Sequence, residues 1–303
     1  MLEFLIFGLS LVALYYGAKA ITESAVHFAK VIGVSEFVIG ATVVAFGTAL
    51  PELSTSLFAM IKDSGYPEVA AGNVLGSILA NTGLGLGGAA MFYRVYITRD
   101  LIETDISFLI ASALAMTVVF IDLKITWFEG VVLILIYLSF IRHEIAAHRK
   151  SEAVGTESFM SRYMLIFLAG VALLYVGARY MIISILEISS VIGISEAVVA
   201  FILVAIGTSL PEISTAVVAA KNGRGDIAMG DIVGANTFNA LIILGFSSFV
   251  GDVAASQAFL IATLPVVLLI TILAGFMSMG NMISRFEGSM LVGIYFLEIF
   301  NIL

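Results

Sequence analysis

The sequence predicts an all-α membrane protein, with ten transmembrane helices arranged as two inverted five-helix repeats. Three observations lead there: an apolar composition, apolar stretches long enough to cross a bilayer, and a second half that repeats the first. Of 303 residues, 61% are hydrophobic and 12% are charged, whereas a soluble domain carries about 25% charged residues. With a mean hydropathy of +1.12, most of the surface is expected to face the lipid bilayer.

A spanning helix needs ~20 mostly apolar residues. Such stretches run at 3–29, 36–61, 68–92, 101–121, 125–142, 160–188, 196–220, 226–250, 255–279 and 284–302. The first imitates a signal peptide, but it continues past Lys19 without a small-residue cleavage pattern and reads as a retained span. The second and seventh carry the hexapeptides GTALPE (47–52) and GTSLPE (207–212), and the third and eighth are rich in glycine. The fifth and tenth open on FEG (128–130 and 286–288), where Glu129 and Glu287 suit an interfacial turn at a helix start.

The duplication is direct. Residues 31–56 align without gaps to 191–216 with 15 identities in 26 positions. YYGAK (15–19) matches YVGAR (175–179), GNVLGSILAN (72–81) matches GDIVGANTFN (230–239), and the two FEG segments match each other. The first repeat is therefore 1–141, the linker 142–159 and the second repeat 160–303. Five spans are an odd number, so the second repeat enters the membrane upside down. One side receives Lys30, Arg94, Arg99, Arg142, Arg149, Lys150, Arg162, Lys221, Arg224 and Arg285; the other receives Lys62 and Lys124. That bias places the linker in the cytoplasm and both termini outside, in a multi-pass protein of the cell membrane. Lys19 and Arg179, near span ends, are expected to snorkel or pair.

Inverted repeats with broken helices are the architecture of secondary transporters, with the site near the midplane where the halves meet. Pro51 has no N–H and crowds the carbonyl of Gly47, and Pro211 does the same to Gly207. Carbonyls around Ala45 to Thr48 and Ala205 to Thr208 are thus expected to turn out of their helices, which lipid tolerates only where another partner exists. A hard cation is such a partner. Glu52 and Glu212 supply charge at mid-depth, where a carboxylate costs at least a few kcal/mol. One divalent ion, two monovalent ions or two protons would neutralise the pair, and that equivalence is the logic of an exchanger. At helical spacing Asn73, Ser77 and Asn81 form one stripe, and Asp231, Ala235 and Asn239 its counterpart. These oxygens suit Na+, Ca2+ or Mg2+ rather than zinc or copper. Asp231, with Asn73 at the matching position, is expected to line the access path, the alternative being that Asp231 faces water at the end of its span.

Other classes fit less well. Cysteine is absent, and His27, His143 and His148 have no metal-ligand spacing. No nucleophile–base pair accompanies the glutamates, so no enzyme is expected, nor any cofactor or nucleic-acid partner. The net charge of −8 is spread over loops and spans. A passive channel would need no inverted duplication.

GTALPELSTS and GTSLPEISTA, with GNVLGS, resemble the two alpha repeats of the cation/calcium antiporter superfamily, and the length and ten-span plan are most similar to its compact prokaryotic sodium/calcium exchanger branch. The resemblance covers nearly the whole chain. It implies a central Ca2+ site at Glu52 and Glu212, assisted by the carbonyls of Thr48 and Thr208. It implies Na+ at Ser77, Ser209, Glu212 and the Ala205 carbonyl. The matching set has Ala49 and Ala235 in place of both serines, leaving Glu52 and the Ala45 carbonyl; Asn239, the partner of Asn81, stands where this branch often has Asp. The expectation is export of Ca2+ against fewer Na+ than relatives use, or against H+. By the same resemblance, the second, third, seventh and eighth spans form the site-bearing core, and the first and sixth slide or rock against it.

Overall fold

The computed structural model describes residues 2–61, 67–98, 102–147, 157–192 and 206–302. Its helices are α1 (Leu2–Ile32), α2 (Glu36–Thr48), α3 (Leu50–Ile61), α4 (Pro67–Tyr93), α5 (Ile102–Val119), α6 (Trp127–Ala147), α7 (Glu157–Ile192), α8 (Leu210–Lys221), α9 (Gly225–Val250), α10 (Gln257–Ser278) and α11 (Arg285–Ile302). Together they make the ten-span all-α membrane fold, with α2 and α3 as one span bent by 44°. The seventh span is described only from residue 206 onward. By length and apolarity alone, α1, α4, α9, α10 and the segment Ser161–Tyr180 of α7 qualify to cross a bilayer, and the bent pair makes a sixth. The rest are shorter or carry charge near their ends, at Glu129, Arg142, Glu144, Arg285, Glu287 and Glu298.

The helices sort by burial as a membrane protein requires. The α9 window is 100% buried and that of α4 78%, against 28% for α1 and for Ser161–Tyr180. Large apolar side chains on the outer helices stand open, among them Leu165, Leu297 and Phe300, a surface tolerable in lipid and not in water. The core therefore consists of α4 and α9, wrapped by the other helices.

The inverted duplication is visible in packing. Gly87 of α4 lies on Gly288 of α11, and Gly245 of α9 lies on Gly130 of α6. Gly17 of α1 packs on Leu174 of α7, and Gly177 of α7 packs on Leu14 of α1. Small residues at these crossings let backbones approach where lipid gives no hydrophobic drive to associate. Two short antiparallel ladders obey the same exchange: β1 (Val95–Tyr96) pairs with β4 (Met282–Ile283), and β2 (Lys124–Ile125) with β3 (Val253–Ala254). Each ladder joins one repeat to the other. Beside the second, Lys124 binds Asp252 at 3.0 Å, and this partner holds its ammonium above its usual range.

The FEG segments cap helices. Glu129 accepts from the Thr126 backbone N–H and hydroxyl, both at 2.8 Å, and Glu287 accepts the same pair from Ser284 at 2.7 Å. These contacts tie down the first turns of α6 and α11. Lys19 reaches Glu23 at 3.8 Å and Arg179 is exposed. Helix α6 continues through Ala147 and α7 begins at Glu157, so both run into the predicted linker 142–159; 148–156, with His148, Arg149 and Lys150, lie outside the described residues.

Candidate functional site

The helix breaks position the two glutamates. The junction residues have nearly the same backbone, Ala49 at φ −81°, ψ 5° and Ser209 at φ −86°, ψ 3°, the sparsely populated bridge region common at active sites. The ladder resumes at Leu53 N–H to Ala49 O (3.1 Å) and at Ile213 N–H to Ser209 O (3.0 Å). Both α3 and α8 therefore start within the buried interior, and Glu52 and Glu212 sit in their first turns, where the positive end of the helix dipole favours a carboxylate. Each is 0% exposed.

One expectation needs correction. The Ala45 carbonyl has not turned out of its helix: it accepts the Ala49 N–H at 3.0 Å, and the Thr48 hydroxyl lies 3.3 Å away. Proline removes only its own donor, so the carbonyl that loses its partner is that of Gly47, four residues before Pro51. Ala205 lies outside the described residues.

Around the glutamates the helices are joined by hydrogen bonds, most of them across the repeats. The Ser209 hydroxyl donates to Glu52 Oε1 at 3.3 Å. Asn73 donates to the Glu52 carbonyl at 3.1 Å and to the Ser56 hydroxyl at 2.9 Å, and accepts the Thr208 hydroxyl at 3.3 Å. Ser77 and Thr208 hydroxyls are 3.4 Å apart. In the mirrored half, Thr48 donates to Asp231 Oδ1 at 3.2 Å, while Ala49 and Ala235, both 0% exposed, stand opposite Ser209 and Ser77. Asn81 donates to Asn236 Oδ1 at 3.1 Å, and Asn236 donates onward to Thr82 at 2.8 Å. So Ser77, Ser209, Thr208 and Asn73 gather with Glu52, and Thr48 and Asp231 with Glu212. Asn239 has no hydrogen-bond partner at either side-chain atom.

Unmet acceptors define the chemistry. Glu52 Oε2, both oxygens of Glu212, Asp231 Oδ2, Asn81 Oδ1 and Asn239 Oδ1 are buried without a donor, although buried polar groups are paired in more than about 90% of cases. The Glu52 and Glu212 charges act on each other, and Asp231 on both. The ion pairs Lys19–Glu23, Lys124–Asp252 and Arg224–Glu36 lie at the surface and involve none of these three carboxylates. Such a cluster attracts cations and has oxygens of every kind to receive them. Among the described residues, no three His, Asp or Glu side chains form one metal cage. His27 stacks on Tyr163 at 3.5 Å, and His143 tilts against Phe108.

Two spaces reach this cluster. A cavity of about 560 Å³ is lined by Glu68, Gly72, Asn73, Ser256, Phe259 and Tyr295 among others. A second, about 250 Å³, runs along Gly47, Thr48, Pro51 and Pro211 beside α7. Asp231 lines neither; it lies inside the cluster itself. Asn236, Thr82 and Ser56 were not singled out from sequence. The first two are polar where the other repeat has Ile78 and Ala240, a break in symmetry within a buried span that would have pointed to them.

Comparison with known proteins places this geometry. The model of the sodium/calcium exchanger protein family matches residues 2–145 and 162–303. A membrane protein of Methanocaldococcus jannaschii, MJ0091, is 30% identical over 297 residues, covering 97% of this chain and 95% of its own. The sodium/calcium exchanger MaX1 of Methanosarcina acetivorans is 30% identical over 338 residues, covering 97% of this chain and 96% of its own. A solved structure of the sodium-calcium exchanger NCX_Mj, soaked with zero Na+ and Ca2+, matches with a TM-score of 0.88 and 28% identity, over 100% of this chain and 99% of that one.

Proposed function

The chain belongs to the sodium/calcium exchanger protein family, and on that premise we propose that it is a secondary active antiporter that moves Ca2+ out of the cytoplasm against Na+. The observation that carries this reading is the pair Glu52 and Glu212. They come from two inverted repeats, are buried at two matching helix breaks, and hold three carboxylate oxygens with no donor. Ca2+ requires about 6–8 oxygens. Here the two carboxylates, the Thr48 and Thr208 carbonyls and water supply them, with Asn81 and Asn239 as further oxygen ligands. Na+ takes the same carboxylates with Ser77 and Ser209, so the two ions exclude each other and exchange follows. With the linker cytoplasmic and the termini outside, the protein sits in the cell membrane and needs no cofactor.

Exchange against H+ is the second reading; the observation favouring it is the loss of both hydroxyls at Ala49 and Ala235. Ca2+ flux in liposomes, with Na+ and pH gradients imposed independently, separates the two. Glu52→Gln and Glu212→Gln are each expected to weaken Ca2+ binding at least about 100-fold, ~2.7 kcal/mol. Glu129→Gln and Glu287→Gln, which keep a capping side chain, are expected to leave it within about threefold. The reverse pattern would remove the assignment of the site.

A further inference from the structure

We propose that Asp231, Glu212 and Thr48 form a separate site for a monovalent cation of the Na+ class, in which a carboxylate replaces the two missing hydroxyls. This rests on the exchanger reading above. It starts from an imbalance between the halves. On one side of the cluster stand Ser77, Ser209 and the neutral Asn73; on the mirrored side stand Ala235, Ala49 and Asp231. The side that lacks both hydroxyls is the side that has the extra charge.

The positions correspond in space as well as in sequence. Thr208 donates to Asn73 at 3.3 Å, and Thr48 donates to Asp231 at 3.2 Å. Asn73 is satisfied through three contacts, whereas Asp231 has one, and its Oδ2 is buried at 0% exposure without a donor. Both Glu212 oxygens beside it are equally bare. Thr48 has one proton, for which the carbonyls of Val44 and Ala45 and the carboxylates of Asp231 and Glu212 compete, so it cannot satisfy both acids at once. Its hydroxyl oxygen has two lone pairs that can receive a cation as readily as a donor.

A buried carboxylate in an apolar site is paired, binds a cation or takes up a proton. No cationic side chain pairs with Asp231 among the described residues, and Asp231 does not close a three-acid cage with Glu52 and Glu212. In the proposed site it shares Glu212 with the central ion and holds a cation of its own in place of a proton. Three carboxylates carry three negative charges. A Ca2+ leaves one of them uncancelled, and one monovalent ion cancels it; with Ca2+ gone, three monovalent ions do. The site thus restores a monovalent position that the alanines had removed, and lets one Na+ accompany Ca2+.

The test is 45Ca2+ binding to the purified full-length protein across a Na+ titration, with choline holding ionic strength. In the wild type, low Na+ is expected to raise Ca2+ affinity at least about threefold before higher Na+ displaces it. In Asp231→Asn the rise is expected to vanish, and the Hill slope of displacement to fall by about one. The triple variant Asp231→Asn, Ala49→Ser, Ala235→Ser, which rebuilds the hydroxyl pair, is expected to regain that slope. A monotonic fall of Ca2+ binding in the wild type, which needs no variant to measure, overturns the proposal; so does an unchanged rise in Asp231→Asn. Absence of Ca2+ binding at every Na+ concentration would defeat the exchanger reading instead. The Na+-dependent rise in unfolding temperature would then decide Asp231 alone, and an identical rise in Asp231→Asn would overturn its role.

Discussion

Gly230 and Gly234 bring α9 against α2, one turn apart on the same face. A Cβ at Gly230 would overlap the Phe37 carbonyl, and one at Gly234 the Ala41 backbone. The obstacle is main chain, so no rotamer change relieves it. Gly234→Ala is expected to cost about 1–3 kcal/mol, the usual range for overpacking, measured as a lowered unfolding temperature in detergent. It should also reduce Ca2+ flux, since Asp231 and Asn239 ride on the same helix. At this scale the sequence was legible where the two repeats agree. Glu52 and Glu212 announced themselves because an acid beside a proline recurs in register. Asn236 and Thr82 did not, having no counterpart, and the pairing of Ser209 with Glu52 rather than Glu212 depends on which helices face each other, which no local pattern states.

Helix ends and breaks form the next scale. The capping boxes Thr126–Glu129 and Ser284–Glu287 fix the starts of α6 and α11 just after the β2 and β4 strands. Ser284→Ala leaves the Ser284 N–H bond to Glu287 but removes the hydroxyl, and is expected to destabilise by about 1 kcal/mol, read by thermal unfolding with Ca2+ binding retained. These caps were readable as turn-forming FEG segments. The π turns at Gly40–Val44, Asn81–Leu86 and Asn239–Ile243 were not. Their residues are ordinary in α-helices, and only packing decides where one extra residue enters a turn. Two of the three begin at Asn81 and Asn239, consistent with the tendency of π bulges to fall at functional sites. The Ala45 carbonyl keeps its helical bond to Ala49 N–H for a related reason: proline deletes a donor at one place, and neighbouring bonds close around the gap.

For the whole molecule, inversion follows from counting alone, and it makes a topological prediction. Asp122 and Asn222 are both exposed and lie on opposite membrane faces in the proposed orientation. Since the chain has no cysteine, Asp122→Cys and Asn222→Cys each give a single thiol. A membrane-impermeant maleimide is expected to label Asp122→Cys in intact cells, and Asn222→Cys only after permeabilisation; the opposite result would turn the transporter over. Ten spans and their duplication were legible because lipid demands about 20 apolar residues per crossing, whatever their order. The pairing of each repeat with the other was not, because a duplicated sequence is equally compatible with two halves that fold side by side.

Both strand ladders, and the Gly87–Gly288 and Gly130–Gly245 crossings, join one repeat to the other. A ribosome that has finished the first five spans has therefore released a polypeptide whose partners do not yet exist. Neither half can mature by itself, quality control must spare the early half until its sibling is inserted, and two separately encoded halves should survive in the cell only when made together.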